Sequence, residues 1–163
     1  MKSSRNNKGF SLIELLIVVA IILIIAAIAI PNLLRSRIAA NEASAVGSLR
    51  TINTAEVTYS SSYPDCGFTS LSYLGGSGGN VTGAGLIDSV LASGQKSGYS
   101  FAATSTGGAG TCGSGSGTPN MTYTSVAGPQ TAQSGQRYFY SDQSGVIRYN
   151  TTGPATATDA PLQ

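Results

Sequence analysis

The 163-residue sequence contains no histidine and no tryptophan, and only 10% of its residues are charged. Without histidine, the Ser-His-Asp and Cys-His systems of nucleophilic catalysis and all metal sites with imidazole ligands are excluded. The carboxylates after residue 30 have no obvious paired spacing, so each is predicted to be a solvated surface group or, at Asp65 and Asp142, a turn former. They are Glu42, Glu56, Asp65, Asp88, Asp142 and Asp159. The sequence therefore predicts a protein that is not an enzyme and that has no metal site and no cofactor.

Positive charge is concentrated at the start of the chain. Lys2, Arg5 and Lys8 lie within the first nine residues, whereas the remainder carries six basic and seven acidic side chains. Nucleic-acid binding needs clustered lysine and arginine side chains that neutralise phosphates. No cluster of that kind follows residue 9, so no direct binding of nucleic acid is predicted.

The chain has two cysteines, Cys66 and Cys112, and both lie in its polar part. An even number of cysteines in an exported domain favours a disulfide over metal ligation, since there is no histidine to complete a zinc site. We predict a disulfide between the two, with two unpaired thiols as the alternative.

Residues 10–30 form a long apolar run in which Glu14 is the only charge. At the rise of an α-helix these residues span about 31 Å, enough to cross the hydrocarbon core of a membrane. The sequence after Pro31 is rich in Ser, Thr, Gly and Asn, and its apolar residues are spaced apart. A membrane helix followed by a water-soluble domain is therefore predicted.

Two ordinary explanations of this run compete with a more specific one. In a secretory signal peptide, cut near residues 27–29, the apolar region usually has about 7 to 15 residues, which is shorter than this one. A plain membrane anchor does not explain Glu14, because a carboxylate inside a spanning helix costs about 2.5 to 3.5 kcal/mol. A glutamate whose carboxylate reaches the membrane–water interface would cost less, but this explanation does not account for the basic residues at positions 1–9.

Residues 8–20 (KGFSLIELLIVVA) and 26–32 (AAIAIPN) resemble the signature of type IV pilins and of the pseudopilins of type II secretion. The resemblance implies that a prepilin peptidase cuts between Gly9 and Phe10 and that the new amine of Phe10 is methylated. It also implies that Glu14 meets the amine of Phe10 on a neighbouring subunit. Pro31 fits the pattern, whereas Leu23 stands where many family members have glycine, which makes local melting of the helix less secure.

Elementary electrostatics supports the pairing of Glu14 with a neighbour. Once Phe10 is the first residue, its positive amine lies at the N-terminal end of a helix, where the macrodipole disfavours positive charge. A neighbour's carboxylate in a low-dielectric bundle would compensate both the amine and Glu14. We therefore predict that this pair selects the register between subunits.

After Pro31 the apolar residues recur at helical spacing, which predicts an amphipathic helix that ends near residues 60–62. Its apolar stripe is Leu34, Ile38, Ala45, Leu49, Ile52 and Tyr59. The other faces are predicted to carry polar residues, among them Glu42 and Glu56. The stripe is predicted to pack on its own domain, and the resemblance implies that the exposed flank also packs on neighbouring subunits.

The rest of the chain predicts a small head domain. Residues 63–97 read as a loop-rich connector with one short helix over residues 86–91, and four β-rich runs follow at 98–102, 121–126, 136–140 and 146–149. Residues 142–145 form a hairpin loop with glycine available for a left-handed position. The predicted fold class is α+β, with a long N-terminal helix packed on an antiparallel sheet of about four strands. The predicted divisions are a leader (1–9), an assembly helix (10–30), its amphipathic continuation (31–62), a head (63–150) and a poorly ordered polar tail (151–163).

Two functions fit the resemblance. In the first, the chain is made in the bacterial inner membrane, is processed, and polymerises as a homo-oligomeric helical filament into an extracellular type IV pilus for adhesion, twitching motility or DNA uptake. In the second, it forms a periplasmic pseudopilus for type II protein secretion. The missing cluster of oxygen ligands for calcium near Asp142 and the low charge of residues 41–54 favour the pilus. Either function requires the prepilin peptidase and an assembly machinery as partners.

Overall fold

The structure is a computed structural model that describes residues 10–108 and 118–162. In chain order its helices are α1 (Leu12–Ser62), α2 (Leu71–Leu74) and α3 (Ser89–Ala92), and its strands are β1 (Gln95–Lys96), β2 (Tyr99–Thr106), β3 (Thr122–Pro129), β4 (Tyr138–Asp142) and β5 (Arg148–Asn150). The chain divides into two compact units, Met1–Ser36 and Arg37–Gln163. The α+β fold class predicted from the sequence is confirmed.

Helix α1 has 51 residues and passes through Pro31 without a break. Proline has no backbone N–H, so the carbonyl of Ala27 loses the donor that an ordinary helix would supply. The helix ends where Tyr63 and Pro64 follow, and the N–H of Tyr63 makes a last bond of 2.8 Å to the carbonyl of Tyr59. The predicted end at residues 60–62 is confirmed.

The core of the second unit forms between α1 and one face of the sheet. Ala45, Leu49, Ile52 and Tyr59 of the predicted stripe are fully buried there. Leu34 is 45% exposed and Ile38 only half-buried, so the first two positions of the stripe do not belong to the core. The prediction was right from residue 45 onwards.

The sheet is an antiparallel meander of five strands in the order β1-β2-β3-β4-β5. Burial alternates along β2, β3 and β4, as expected for strands with one covered face. The covered face carries three fully buried rings, those of Tyr99, Tyr123 and Phe139. All four predicted runs contribute strands, with ends shifted by a few residues. Strand β1 was missed because two residues give no periodic pattern.

The turn between β1 and β2 places a serine in the left-handed region. Lys96 pairs with Tyr99, so Ser97 and Gly98 form a two-residue loop, with φ angles of 51° and 74°. Positive φ at both positions is the requirement of a type I′ turn, in which Asn-Gly is the preferred pair.

Ser97→Asn is expected to stabilise the second unit by about 0.5 to 1 kcal/mol, because asparagine tolerates the left-handed region better than serine. The gain should appear as a higher unfolding midpoint for the full chain in detergent micelles. Ser97→Val is the matched control, since a β-branched side chain is strained at positive φ and should lower the midpoint. An unchanged or lower midpoint for Ser97→Asn would count against this account of the turn.

The connector contains the predicted short helix, displaced towards the C-terminus. Helix α3 begins after Asp88, whose Oδ1 accepts a hydrogen bond of 2.8 Å from the N–H of Leu91 as an N-cap. Asp88 also pairs with Lys96 at 2.9 Å, and the side-chain hydrogen bond from Lys96 is the main cause that lowers the pKa of Asp88. Asp88 is therefore a capping residue.

Residues 151–162 make defined hydrogen bonds, so the prediction of a poorly ordered tail is wrong for them. The Oδ2 atom of Asp159 accepts hydrogen bonds from the backbone N–H of Thr156 at 2.6 Å and from its hydroxyl at 3.0 Å. The N–H of Leu162 donates to the carbonyl of Ile147 at 2.7 Å. The tail thus runs back to the residue just before β5. Its polar composition gave no indication of the hydrogen bonds that hold it.

Candidate assembly segment

The start of α1 is built around Ser11 and Glu14. Ser11 stands one residue before the helix, and its N–H donates a hydrogen bond of 2.9 Å to Oε2 of Glu14, while its carbonyl accepts from the N–H of Leu15 at 3.2 Å. A glutamate at the third helical position that reaches back to the N-cap N–H is one half of a capping box. Within one chain, Glu14 therefore stabilises the first turn of the helix.

This local role was missed in the sequence, although the signal was present. The run Ser11-Leu12-Ile13-Glu14 has the S-x-x-E spacing of a capping box. A carboxylate at this place also complements the positive end of the helix dipole. Glu14 thus has an intrachain task besides the predicted pairing with a neighbour.

The described residues leave the apolar run of residues 10–30 exposed. Phe10 is 83% exposed, and the large apolar side chains of residues 12–30 are between 45% and 76% exposed. Among the described residues, α1 is the one helix with a stretch of 18 residues apolar enough to cross a membrane, and none of that stretch is buried. So much apolar surface needs cover from lipid or from other proteins.

The structure locates some of the other predicted site residues. Phe10 and Pro31 are exposed, and Pro31 lies inside α1. Cys66 is 5% exposed and belongs to the core, as expected for a cysteine that forms a disulfide. Gly9 and Cys112 lie outside the described residues. The cleavage site and the Cys66–Cys112 disulfide therefore stay predictions.

Glu42 is not the solvated surface group that the sequence predicted. It is 6% exposed, and its Oε1 accepts hydrogen bonds from the backbone N–H groups of Gln136 at 2.9 Å and Arg137 at 3.2 Å. Its Oε2 pairs with Nε of Arg137 at 2.7 Å. The guanidinium of Arg137 also lies over the rings of Phe139 and Tyr149, at 5.6 Å and 5.7 Å from their centroids. Glu42 thereby ties α1 to the start of β4.

Glu56 also contradicts the prediction of a surface carboxylate, since it is fully buried. Desolvation by burial raises the pKa of Glu56 to about 7. The hydrogen bond of 3.0 Å that its Oε2 accepts from the backbone N–H of Thr69 opposes this rise only in part. The same burial, with the nearby charge of Glu56 as a second cause, raises the pKa of Tyr123 to about 12.

Comparison with known proteins bears on the N-terminal segment. Residues 4–30 match the family described as the prokaryotic N-terminal methylation motif. The type IV wide pilus major component PilA4 of Thermus thermophilus is 68% identical over 38 residues, which are 23% of this chain and 29% of that protein. The type IV major pilin protein PilA of Myxococcus xanthus is 47% identical over 62 residues, which are 36% of this chain and 28% of that protein. No solved structure matches the chain.

These matches confirm the resemblance to type IV pilins, and the chain carries the N-terminal methylation motif of such proteins. The chain covers less than a third of the length of either relative.

Proposed function

We propose that this chain is a structural subunit of a type IV pilus, which loses residues 1–9 and then polymerises through residues 10–30. The observation that carries the proposal is an uncovered apolar helix with one carboxylate at its start, inside a segment that matches the methylation motif. Both relatives named above are components of type IV pili.

The physics of the apolar segment supports two successive environments. Before assembly, lipid covers the side chains of residues 10–30, whose length matches the hydrocarbon core. After extraction into water, the same side chains can be covered by helices of other copies. Burial of some dozen large apolar side chains stabilises such a bundle by on the order of 10 kcal/mol or more per subunit. Polymerisation is therefore the state in which this helix is stable outside the membrane.

The carboxylate of Glu14 gives the polymer a register. In lipid, an unpaired carboxylate costs about 2.5 to 3.5 kcal/mol. Cleavage after Gly9 would create a positive amine at Phe10, four residues away in the sequence, and a neighbour's Glu14 would compensate that charge. Methylation converts this primary amine into a secondary amine that stays protonated, so the modification is compatible with the pairing.

The proposal places the precursor in the inner membrane and the mature subunit in an extracellular fibre. It assigns a structural role and no enzymatic one, with a prepilin peptidase and an assembly machinery as partners. A periplasmic pseudopilus is the alternative outcome, and it is less favoured because both relatives are named as pilus components.

Electron microscopy of surface fibres in cells with and without the gene tests the proposal. We expect fibres that vanish on deletion, return on complementation with the intact gene and contain this chain by mass spectrometry. Fibres that persist after deletion, together with a loss of protein secretion, would overturn the pilus in favour of a pseudopilus.

A further inference from the structure

Glu56 is a buried carboxylate that the proposed polymerisation does not use. It lies on the covered face of α1, where it is fully buried, while the side chains that flank it one turn away on the same face, Ile52 and Tyr59, are also fully buried. A carboxylate at such a place in an apolar core needs either a cation or a proton.

Within the part of the chain that the structure describes, no cation pairs with Glu56. The ion pairs among residues 10–108 and 118–162 join Lys96 to Asp88 and Arg137 to Glu42. The titratable groups that share electrostatic interactions with Glu56 are the phenols of Tyr59 on α1 and Tyr123 on β3, and burial raises the pKa of both. Both phenols are therefore neutral at physiological pH.

The hydrogen bonds of Glu56 are incomplete as well. Its Oε2 accepts from the backbone N–H of Thr69 at 3.0 Å, whereas its Oε1 is buried with no partner among the described residues. An ionised carboxylate can accept several hydrogen bonds, and here a single N–H bonds to one of its two oxygens. A protonated carboxyl group costs less at this place because it carries no net charge.

Residues 66–69, which cover Glu56, are held by hydrogen bonds to the carbonyl of Tyr63 and to the backbone and side chain of Asn120. The N–H of Phe68 donates to the carbonyl of Asn120 at 3.1 Å, and the N–H of Asn120 donates to the carbonyl of Cys66 at 2.9 Å. The ring of Phe68 packs on that of Tyr123 at a centroid distance of 4.8 Å. Residues 66–69 thus lie between Glu56 of the helix and the start of β3, and their opening would admit water to the carboxylate.

We propose that Glu56 is a proton-dependent latch, which is neutral while residues 66–69 are closed over it and ionised when this segment opens to water. The latch is a property of the second unit and does not depend on the proposed polymerisation.

The direction of the pH dependence follows from the sign of the shift. The pKa of Glu56 in the closed state, about 7, lies above its ordinary value of 4.5. The neutral carboxyl group of Glu56 stabilises the closed state fully below about pH 4.5, and this stabilisation is lost as the pH rises through about 7. With these two values, the equilibrium constant for opening rises by about 70-fold between pH 5 and pH 8.

The composition of the chain allows a pH dependence between pH 5 and pH 8 to be assigned to Glu56. Without histidine, no imidazole titrates between pH 5 and pH 8. The terminal amine titrates near pH 8, and a variant that changes Glu56 alone leaves it in place.

Amide hydrogen exchange of the full chain in non-ionic detergent micelles tests the latch. We expect the protection of the Phe68 and Thr69 amides, taken relative to Glu56→Gln, to fall by about 70-fold between pH 5 and pH 8. Glu42→Gln is the matched control, because it neutralises the other buried carboxylate of α1 and should keep the fall. Equal pH dependence of protection in wild type and Glu56→Gln would overturn the proposal.

A second measurement needs no variant and remains decisive if Glu56→Gln fails to fold. The carboxyl carbon of Glu56, followed by ¹³C NMR in the wild-type chain, should titrate with a midpoint near 7, as the raised pKa requires. A midpoint below about 5, close to the ordinary value for glutamate, would overturn the latch.

Discussion

Glu14→Ala is expected to leave a processed subunit in the membrane and to lower the yield of fibres at least tenfold, that is, by about 1.5 kcal/mol or more per contact. The substitution removes the carboxylate that would compensate the amine of a neighbour's Phe10. The yield is measured by quantifying the subunit in sheared surface fibres against the subunit in membranes.

Glu14→Gln separates this role from the capping of the helix. The amide oxygen of glutamine can still accept the hydrogen bond from the N–H of Ser11, which Glu14 accepts at 2.9 Å. The glutamine variant is therefore expected to keep the first turn of α1 but to assemble as poorly as Glu14→Ala. If Glu14→Gln restored wild-type fibres, Glu14 would act through the cap alone and the charge pairing would be rejected.

Arg137→Met is expected to destabilise the second unit by about 3 kcal/mol, because it leaves the buried carboxylate of Glu42 without its cation. Arg137 is partly exposed, with 37% of its side chain accessible, so the loss should lie at the lower end of the range for buried pairs. The stacking of its guanidinium over Phe139 and Tyr149 is lost as well. The loss is measured as the change in the free energy of unfolding of the full chain, followed by the near-ultraviolet circular dichroism of its tyrosines.

The double variant Glu42→Gln/Arg137→Met is the control for this pair. Glutamine keeps an acceptor for the backbone N–H groups of Gln136 and Arg137, which bond to Oε1 of Glu42. We expect the double variant to be more stable than Arg137→Met alone, since no buried charge is left unpaired. If the loss of stability in the double variant equalled the sum of the losses in Glu42→Gln and Arg137→Met, the ion pair would contribute nothing beyond its separate side chains.

The two buried glutamates show where reading of the sequence failed and how it could have succeeded. Residues 42, 45, 49, 52, 56 and 59 follow one another at steps of three and four, the period of a single helix face. The prediction used the apolar members of this series and assigned Glu42 and Glu56 to the solvated faces. The spacing alone places both glutamates on the buried face. It does not predict their hydrogen-bond donors, which are the backbone N–H groups of residues 69 and 136–137.

Local signals predicted the elements better than their ends. Residues 142–145 form a turn, in which the N–H of Gly145 donates to the carbonyl of Asp142 at 2.9 Å and Gly145 has a left-handed φ of 73°. The connection between β4 and β5 continues to residue 147, so the predicted four-residue loop is too short. Runs rich in β-branched and aromatic residues located β2 to β5. Strand β1 and the return of the tail to Ile147 depend on hydrogen bonds between distant parts of the chain, and such bonds leave no periodic pattern in the sequence.

Processing at the start of the chain is the claim on which the function rests, and N-terminal mass analysis of the mature protein tests it most directly. The mature chain is expected to begin at Phe10 with a methylated amine. A chain that still begins at Met1, or one that begins near Ile30 without the apolar helix, would contradict it.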